Sequence, residues 1–422
     1  MRPMKYSGIE WIGEVPEGWE ISQLRTKYSE RKHKNTSGDE KNLLSLSYGN
    51  IVRKDIKTNE GLLPESFNGY NVIESHDIVM RLTDLQNDKR SLRTGLAKEH
   101  GIITSAYVTL QPILNTNSSY YHYLLHAYDL AKVYYHMGGG LRQSLDYSEL
   151  CRIKILVPPK MEQSQIVSFL DRKCSAIDVA IAKTQESIAK LEEYKKSVIT
   201  KAVTKGIEPD VKMKDSGVEW IGKVPEGWAL RRGKFILKNL SRPVRNDDKI
   251  ITCFRDGEVT LRENRRTEGF TLSDKEIGYQ GINEGDLVIH GMDGFAGSIG
   301  ISDSRGKATP VLIILDSNQN KKFLMYYLRS MAYSDVFNAI ATGIRVRSCN
   351  LNWNKLAELP YPVPSLSEQQ KIVDYIDNRC VAADKLITMK QSAIDKWAEY
   401  KKSLIYYVVT GKIDCTDENM SE

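Results

Sequence analysis

The length, composition and charge of the chain exclude several classes of protein. Its 422 residues exceed the usual size of one hydrophobic core, and its 41% hydrophobic and 27% charged residues are typical of folded rather than disordered chains. The formal net charge of +6 permits contact with a polyanion without establishing it. Because the sequence shows neither a secretion signal nor a stretch of about 18 apolar residues, we expect a cytoplasmic protein with no membrane partner.

The first recognisable element is a short opening segment that occurs twice. Ser7–Trp19 reads SGIEWIGEVPEGW and Ser216–Trp228 reads SGVEWIGKVPEGW, and these segments differ at only two positions. A repeat of this length indicates that the chain consists of two related halves. Four tryptophans recur within it, which favours packing over base stacking as their role: Trp11, Trp19, Trp220 and Trp228.

Each opening segment is followed by a stretch that diverges between the halves, about residues 20–153 and 229–357. The stretches keep a similar length, and DIVMRLTD at Asp77 corresponds to DLVIHGMD at Asp286. We therefore predict one mixed α/β fold with two different surfaces. Strand-like runs and helical patches within the stretches occur at 77–81, 102–110, 120–136, 286–290, 310–315 and 322–340.

A long heptad helix is predicted after each divergent stretch. Apolar residues recur at the a and d positions from Val167 to Ala202, and the same register returns from Val373 to Val408. The pentapeptide EYKKS occurs in both helices, at Glu193–Ser197 and Glu399–Ser403. About forty helical residues make a rod of about 60 Å, which is suited to a spacer. A two-stranded coiled coil is favoured over an ordinary core hairpin because neither helix is apolar on all sides.

Sequence motifs for catalysis and cofactor binding are absent. The chain has no GxxxxGK[ST] phosphate loop, the glycines of 294–300 lack dinucleotide-binding spacing, and there is no Asn/Asp-Pro-Pro-aromatic segment. Six scattered cysteines without zinc-ligand spacing are predicted to be reduced and unmetallated: Cys151, Cys174, Cys253, Cys349, Cys380 and Cys415. We expect no cofactor and no metal on this chain.

The doubled pattern resembles the specificity subunits of type I restriction-modification systems. The resemblance rests on EWIGxVPEGW at Glu10–Trp19 and Glu219–Trp228, on the VP…EQ…I entries at 157–166 and 363–372, and on the EYKKS helices. It implies an α+β fold in which two mixed α/β target-recognition domains are joined by two long antiparallel coiled-coil helices, with internal two-fold pseudo-symmetry. The corresponding segments are 1–155 for the first recognition domain, 156–212 for the first spacer helix and linker, 213–360 for the second recognition domain, and 361–422 for the second spacer helix and tail.

The resemblance also implies a function and a set of partners. The chain would be a non-enzymatic reader of a bipartite, asymmetric site on double-stranded DNA, with the helices setting the distance between half-sites. It would dock two methyltransferase (modification) subunits, and restriction/translocase subunits would join the larger complex. S-adenosylmethionine, ATP and Mg²⁺ are then expected on those partners.

DNA-contacting residues are expected in polar loops that offer bidentate or phosphate-binding groups. In the first domain the loop after the strand at 77–81 supplies several, and His290 is the positional counterpart of Arg81 in the second. Basic residues that follow a glycine, and the basic cluster near Arg262, could bind the phosphate groups of DNA. The candidates are Arg81, Gln86, Lys89, Arg90, Arg142, Gln143, Arg262, Arg265, His290, Arg345 and Arg347.

Other interpretations remain open at this stage. Each of these side chains could belong to a solvated polar loop, and His290 could cap a strand end. At the level of function, the rivals are a self-contained DNA methyltransferase or nuclease with fused recognition domains, and a structural coiled-coil adaptor. A cofactor site would favour the enzyme, whereas salt-sensitive binding to duplex DNA would argue against the adaptor.

Overall fold

A computed structural model of the chain describes residues 2–56, 66–85, 92–137, 144–265, 277–340 and 350–415. In those residues the chain divides into two compact units, Met1–Thr184 with Ser392–Glu422, and Gln185–Gln391. Each unit thus contains one divergent stretch and a part of each long helix. The sequential domain boundaries expected from the sequence remain predictions. No helix in the described ranges is both long enough and apolar enough to cross a membrane.

The first unit is built on a four-stranded antiparallel sheet with the strand order β4-β11-β8-β9. The unit also contains smaller antiparallel pairs, β1-β2, β3-β12, β5-β6 and β7-β10. The strands are β1 Met4–Tyr6, β2 Glu14–Pro16, β3 Glu20–Gln23, β4 Tyr28–Glu30, β5 Leu44–Ser47, β6 Asn50–Arg53, β7 Asn71–Ile73, β8 Ile78–Met80, β9 Thr94–Leu96, β10 Gly101–Ile103, β11 Val108–Pro112 and β12 Lys154–Val157.

The second unit repeats this arrangement strand for strand. Its four-stranded sheet has the order β16-β23-β20-β21, and its smaller pairs are β13-β14, β15-β24, β17-β18 and β19-β22. The strands are β13 Met213–Asp215, β14 Lys223–Pro225, β15 Ala229–Arg232, β16 Leu237–Asn239, β17 Ile251–Cys253, β18 Val259–Leu261, β19 Gln280–Ile282, β20 Leu287–His290, β21 Ile299–Ile301, β22 Gly306–Ala308, β23 Leu312–Ser317 and β24 Pro360–Val363.

The two long helices predicted from the heptad pattern are present. The helices predicted at 120–136 and 322–340 are both interrupted. Both patches end early because a residue with positive φ interrupts them, Lys132 at 59° and Asp335 at 55°. The run predicted at 102–110 is likewise divided, since a turn from Thr104 to Tyr107 separates β10 from β11. The helices are α1 Ser118–Leu130, α2 Tyr147–Leu150, α3 Lys160–Lys205, α4 Lys321–Tyr333, α5 Val336–Ala339, α6 Trp353–Glu358 and α7 Leu366–Val409, with 3₁₀ turns at Leu24–Thr26, Val133–His136, Gly233–Phe235, Arg262–Asn264 and Gly294–Ala296.

Helices α3 and α7 run antiparallel within the first unit. Near the start of α3, Glu162 pairs with Arg2, which also donates to the carbonyl of Gly411 just beyond α7. Further along α3, Asp178 accepts from Lys401 at 2.7 Å. Residue numbers therefore increase along α3 while those of the contacting residues decrease along α7, as expected for antiparallel helices. The apolar seam residues Leu170, Cys174 and Ile177 on α3 are buried in the core of this unit together with Leu404, Ile405, Val408 and Val409 on α7.

The same antiparallel pairing occurs in the second unit. Lys195 of α3 pairs with Asp384 of α7, and the end of α3 lies beside Trp228, which bonds to Glu368 near the start of α7. The lysines at two seam positions, Lys195 and Lys401, are thus explained by an aspartate on the opposite helix. Trp397, which the heptad register assigns to the seam, is 42% exposed. The contact between α3 and α7 is consequently apolar near the helix ends and formed by ion pairs nearer to the middle of the helices.

Candidate nucleic-acid interface

The predicted first reading loop begins where the buried strand β8 ends. Leu82 and Leu85 are 1% and 0% exposed, so they anchor the described part of the loop in the core. Asp84 has φ of 58°, a left-handed conformation that is uncommon for non-glycine residues. Arg81, directly after the strand, is partly buried. The described start of the loop, residues 81–85, is therefore anchored in the core.

The guanidinium of the buried Arg93 forms hydrogen bonds to the start of this loop. Its guanidinium donates to the carbonyls of Arg81 at 3.0 Å, Thr83 at 2.9 Å and Asp84 at 3.3 Å, and to the Tyr135 hydroxyl at 2.9 Å. The Arg93 residue is 0% exposed. Burying a guanidinium is costly unless its donors are satisfied, and here loop carbonyls satisfy them. Sequence reasoning missed this residue, because nothing in the sequence distinguishes a buried arginine from a surface one.

An acidic residue at the start of the central strand is fixed by an arginine in both units. Asp77 accepts a hydrogen bond from Arg31 Nη2 at 3.2 Å, and Asp286 pairs with Arg242. Each carboxylate also accepts a backbone N–H from the preceding turn, Glu74 at 2.9 Å and Asn283 at 2.8 Å. Burial raises the pKa of Asp77, although its hydrogen bonds act in the opposite direction. The aspartate that aligns DIVMRLTD with DLVIHGMD therefore orients the strand that leads to each loop.

The second reading loop is held by its own histidine instead of a buried arginine. His290 Nδ1 accepts from the backbone N–H of Asp293 at 3.0 Å, and Asp293 pairs with Arg255 at 3.0 Å. Burial lowers the pKa of His290, which keeps Nδ1 free to accept that bond. The loop continues through the Gly294–Ala296 turn to Gly297 at φ of 96°. The structural alternative for His290 thus has a specific contact in its support.

The other described candidates, Arg262 and Arg265, lie in and directly after the 3₁₀ turn that follows the β17-β18 hairpin. Arg265 donates to Asp256 at 2.7 Å and Glu258 at 2.8 Å and lies 4.4 Å from the centre of the Phe254 ring. Arg262 Nε lies 3.4 Å from the Thr252 hydroxyl. The charge of Arg265 is therefore largely neutralised within the protein. The remaining candidates fall outside the described residues: Gln86, Lys89, Arg90, Arg142, Gln143, Arg345 and Arg347.

A cleft beside the second reading loop was not foreseen from the sequence. It has a volume of about 430 Å³ and is lined by Gly291 and Met292 together with amide side chains. Gly291 is required there, because a Cβ would lie 2.9 Å from the Leu351 carbonyl oxygen. The amides of Asn239 and Asn350 are exposed, and an exposed amide presents both a donor and an acceptor to a base edge. Gln280 instead donates to the Leu312 carbonyl at 2.8 Å, and Asn352 accepts the Lys355 N–H at 3.1 Å. The amides come from segments far apart in sequence: Asn239, Gln280, Asn350 and Asn352.

The described residues give no sign of a metal or redox centre. Within them, no group of three or more His, Cys, Asp or Glu side chains is arranged to hold a metal ion. Burial raises the pKa of the Cys174 and Cys253 thiols, to about 11 and about 12, so these cysteines are poor nucleophiles and poor metal ligands. The described cysteines are free thiols.

Comparison with known proteins finds similarity to type I restriction-modification specificity proteins. Residues 95–193 match the sequence model of the type I restriction modification DNA specificity domain. The putative type I restriction enzyme MjaX specificity subunit of Methanocaldococcus jannaschii is 23% identical over 436 aligned residues, covering 95% of both chains. The MjaVIII specificity subunit of the same organism is 25% identical over 277 residues, covering 62% of each. The resemblance predicted from the repeated motifs is confirmed.

Solved structures share the fold. One similar chain was solved in a structural study of complex assembly and conformational transition of the type I R-M system. It superposes on this chain with a TM-score of 0.68 at 13% identity, covering 94% of this chain and 99% of that one. The HsdS subunit from Thermoanaerobacter tengcongensis gives a TM-score of 0.52 at 14% identity, covering 94% and 98%. The predicted α+β architecture, with two mixed domains and long paired helices, is confirmed.

Proposed function

We infer that this chain is the specificity subunit of a type I restriction-modification system, and we propose that each unit reads one half of a split site on double-stranded DNA. The observation that carries the proposal is the repeated central strand with a different loop at its end. Strands β8 and β20 occupy the same position in two sheets of identical order, yet one ends in a loop clamped by Arg93 and the other in a loop capped by His290.

Identical scaffolds with different loops suit the reading of two different half-sites. Direct readout depends on a few side chains at base edges, whereas phosphate contacts set register and affinity. In the first unit we propose Arg81 as a base-contacting residue. In the second unit we propose that the loop of His290 and the amides of Asn239 and Asn350 contribute. Arg262 and Arg265 remain proposals for phosphate contact, and the candidates outside the described residues remain proposals as well.

Partner subunits are proposed to dock on aromatic residues repeated in the two halves. Trp11 and Trp220 are 42% and 39% exposed, and the EYKKS tyrosines Tyr194 and Tyr400 are 44% and 51% exposed. Large aromatic side chains at matched, exposed positions are typical of interface anchors. Two methyltransferase subunits would bind there, joined by restriction/translocase subunits, and S-adenosylmethionine, ATP and Mg²⁺ would be held by those partners. Specificity subunits are themselves recognition components and not enzymes.

Methylome mapping tests the proposal directly. The chain would be co-expressed with its methyltransferase partner in a host that lacks the modification, and methylated positions would be read by single-molecule sequencing. We expect a bipartite, asymmetric motif, and no methyl transfer, cleavage or ATP hydrolysis by the purified chain alone. A continuous motif would contradict two-unit reading. Methyl transfer by the isolated chain would support the fused-enzyme alternative instead.

Binding to duplex DNA separates the proposal from a purely structural adaptor. A DNA reader should lose affinity steeply as salt rises, because bound Lys and Arg side chains release counterions from the phosphates. An adaptor would show no such binding at physiological salt.

A further inference from the structure

The turn between β5 and β6 in the first unit carries an aromatic residue in an unfavourable backbone conformation. Ser47 pairs with Asn50, so Tyr48 and Gly49 form a two-residue connection between the strands. Both of these residues have positive φ, 46° and 79°. Hairpin turns of this kind strongly prefer asparagine, aspartate or glycine at the first position, because a larger side chain is strained there. Tyrosine is therefore a poor choice for folding at this position.

The Tyr48 side chain gains little packing that would offset this strain. It is 84% exposed, although the tyrosine ring is large and mostly apolar. The turn itself is fixed by its backbone, since the Asn50 amide donates to the Tyr48 carbonyl at 3.3 Å. Strained residues that persist in a fixed setting occur mainly at functional sites. The ring of Tyr48 is thus presented to solvent on a fixed support.

The β5-β6 hairpin lies against the strand that follows the first reading loop. A Cβ on Gly95 of β9 would lie 2.6 Å from Leu46 Cδ1 of β5, so the two elements approach closely. At the tip of the hairpin, a Cβ on Gly49 would lie 3.3 Å from Leu92 Cβ. Leu92 directly precedes Arg93, whose guanidinium bonds to the start of the reading loop. The hairpin tip is therefore adjacent to the end of that loop.

The second unit places a hairpin tip in the same position. Its β17-β18 hairpin approaches β21 so closely that a Cβ on Gly300 would overlap the Gly257 carbonyl oxygen. Arg255, in the exposed turn of this hairpin, pairs with Asp293 of the second reading loop at 3.0 Å. The placement is thus repeated in both units, whereas the exposed residue at the tip changes from tyrosine to arginine. A constant position with a different side chain suits the reading of two different half-sites.

A hairpin of two strands has the right width to enter the major groove of DNA. Neighbouring strands lie about 4.8 Å apart, and the major groove is about 12 Å wide and accepts a two-stranded ribbon. A tyrosine at the tip of such a ribbon meets the base edges with the apolar body of its ring. The apolar group that bases present in the major groove is the C5-methyl group of thymine. A phosphate contact is less favoured, because the ring carries no positive charge.

We propose that Tyr48 is a specificity-determining residue of the first half-site, where its ring contacts the C5-methyl group of a thymine in the major groove. This inference rests on the proposed DNA-reading function and adds the β5-β6 hairpin to the reading surface. The strained turn holds an aromatic ring where the needs of folding alone favour an asparagine. The contact belongs to the first unit, because Arg255 stands at the hairpin tip of the second.

Duplex binding by the full chain in complex with its methyltransferase partner tests the proposal, on the bipartite site found by methylome mapping. Tyr48→Asn should weaken the affinity by about tenfold and relax one position of the first half-site, because an aromatic contact to a base is lost. Tyr48→Phe keeps the ring and should bind like the wild type. Deoxyuridine in place of the contacted thymine removes only its methyl group and should weaken wild-type binding about fourfold. The same replacement should have no effect on Tyr48→Asn.

Thermal unfolding separates a reading role from a structural one. Because Tyr48→Asn relieves the strained turn, it should raise the melting temperature by about 2 °C while it weakens DNA binding. A loss of affinity together with a lower melting temperature would mean that Tyr48 acts on the fold instead. Tyr6→Asn removes another exposed aromatic side chain of the first unit, from β1, and should leave duplex affinity unchanged.

The remaining outcomes distinguish this inference from the proposed function. If the wild-type complex binds its site but Tyr48→Asn keeps the same affinity and motif, the inference is wrong and the proposed function stands. The inference is also wrong if deoxyuridine has no effect at any thymine of the first half-site. Loss of co-purifying methyltransferase from Tyr48→Asn would place the ring against that partner and not against DNA. A wild-type complex that binds no duplex would refute the proposed function itself.

Discussion

The indole N–H of Trp19 donates to a carboxylate oxygen of Glu162 at 2.9 Å, across 143 residues of chain. Trp228 makes the same bond to Glu368 at 2.8 Å in the second half. The tryptophans are 1% and 2% exposed. Each opening segment is thus joined to the first turn of the helix that follows its own recognition domain. The repeated tryptophans and the EQ motif therefore form one structural element.

Replacing either of these tryptophans with phenylalanine should destabilise the protein. Trp19→Phe or Trp228→Phe removes a hydrogen bond to a charged acceptor and leaves space in the core, so we expect a loss of about 2 kcal/mol in the free energy of unfolding. Urea unfolding of the full chain measures this. Trp397→Phe, at a position 42% exposed, should cost much less. Equal losses at all three positions would argue against the indole bond as the cause.

Arg93→Lys should weaken the first reading loop specifically. One ammonium cannot reach the carbonyls of Arg81, Thr83 and Asp84 together, and acceptors left buried without donors cost about 1–3 kcal/mol each. We expect a stability loss of about 3 kcal/mol and relaxed base preference in the first half-site only. Urea unfolding and methylome mapping measure the two effects.

Arg329→Lys is the reciprocal control for Arg93→Lys. Its guanidinium donates to the carbonyls of Ile299 at 2.8 Å and Gly257 at 3.0 Å in the second unit. Arg329→Lys should therefore relax the base preference in the second half-site and leave the first unchanged. Relaxation of both half-sites by either variant would show that Arg93 and Arg329 do not act locally.

Arg81→Ala and His290→Ala should affect different half-sites. A bidentate base contact is worth about 1–3 kcal/mol of discrimination, so Arg81→Ala should weaken and relax the first half-site by that amount. His290→Ala removes the acceptor for the Asp293 N–H and should disturb the second half-site alone. Affinity for duplexes altered in one half-site at a time provides the measurement. The exposed Lys183→Ala on α3 is the control, and a motif unchanged by both variants would mean that the reading loops lie elsewhere.

His100 should make the stability of the first unit depend on pH. Its Nδ1 lies 3.0 Å from Glu74 and its Nε2 lies 2.8 Å from Glu40, and the hydrogen bond with Glu74 is the main cause of its raised pKa. Because the folded pKa exceeds the unfolded value, the stabilisation is fully present below about pH 6.5 and is lost as pH rises through the folded pKa.

His100→Gln should therefore lower stability at about pH 6 and have little effect at about pH 9. The side chain is half exposed, so the difference should stay below about 1 kcal/mol. Urea midpoints at the two pH values test this, with the exposed His33→Gln as the histidine control. A difference that grows with pH would contradict the assignment.

The ion pairs between the long helices should contribute little and should be sensitive to salt. Asp178 and Asp384 are 58% and 56% exposed at their side chains, and their lysine partners 29% and 27%. A double-mutant cycle on Asp178→Asn and Lys401→Met should give a coupling of about 0.5 kcal/mol that disappears in 1 M salt, where screening extends over only about 3 Å. A coupling that persists in high salt would indicate a desolvated pair.

The sequence by itself determined the duplication, the long helices and the family, because these depend on local pattern. Heptad spacing specifies a helix wherever it occurs, and the repeated segments could be aligned without knowing what they touch. The paired strands DIVMRLTD and DLVIHGMD were also predictable, since buried strands are short apolar runs. The breaks at Lys132 and Asp335 were not, because a single residue with positive φ leaves little trace in composition.

Only the tertiary structure decided how the loops are held and which distant polar groups are paired. Arg93 looks like any other arginine in the sequence, and it becomes a clamp because the carbonyls of 81–84 converge on its guanidinium. Likewise, Glu162 and Glu368 look like ordinary surface glutamates in the sequence, and only the fold brings them to the indoles of Trp19 and Trp228, 143 and 140 residues earlier. Burial and hydrogen-bond satisfaction depend on residues brought together from distant parts of the chain, and for that reason they cannot be derived from local sequence pattern.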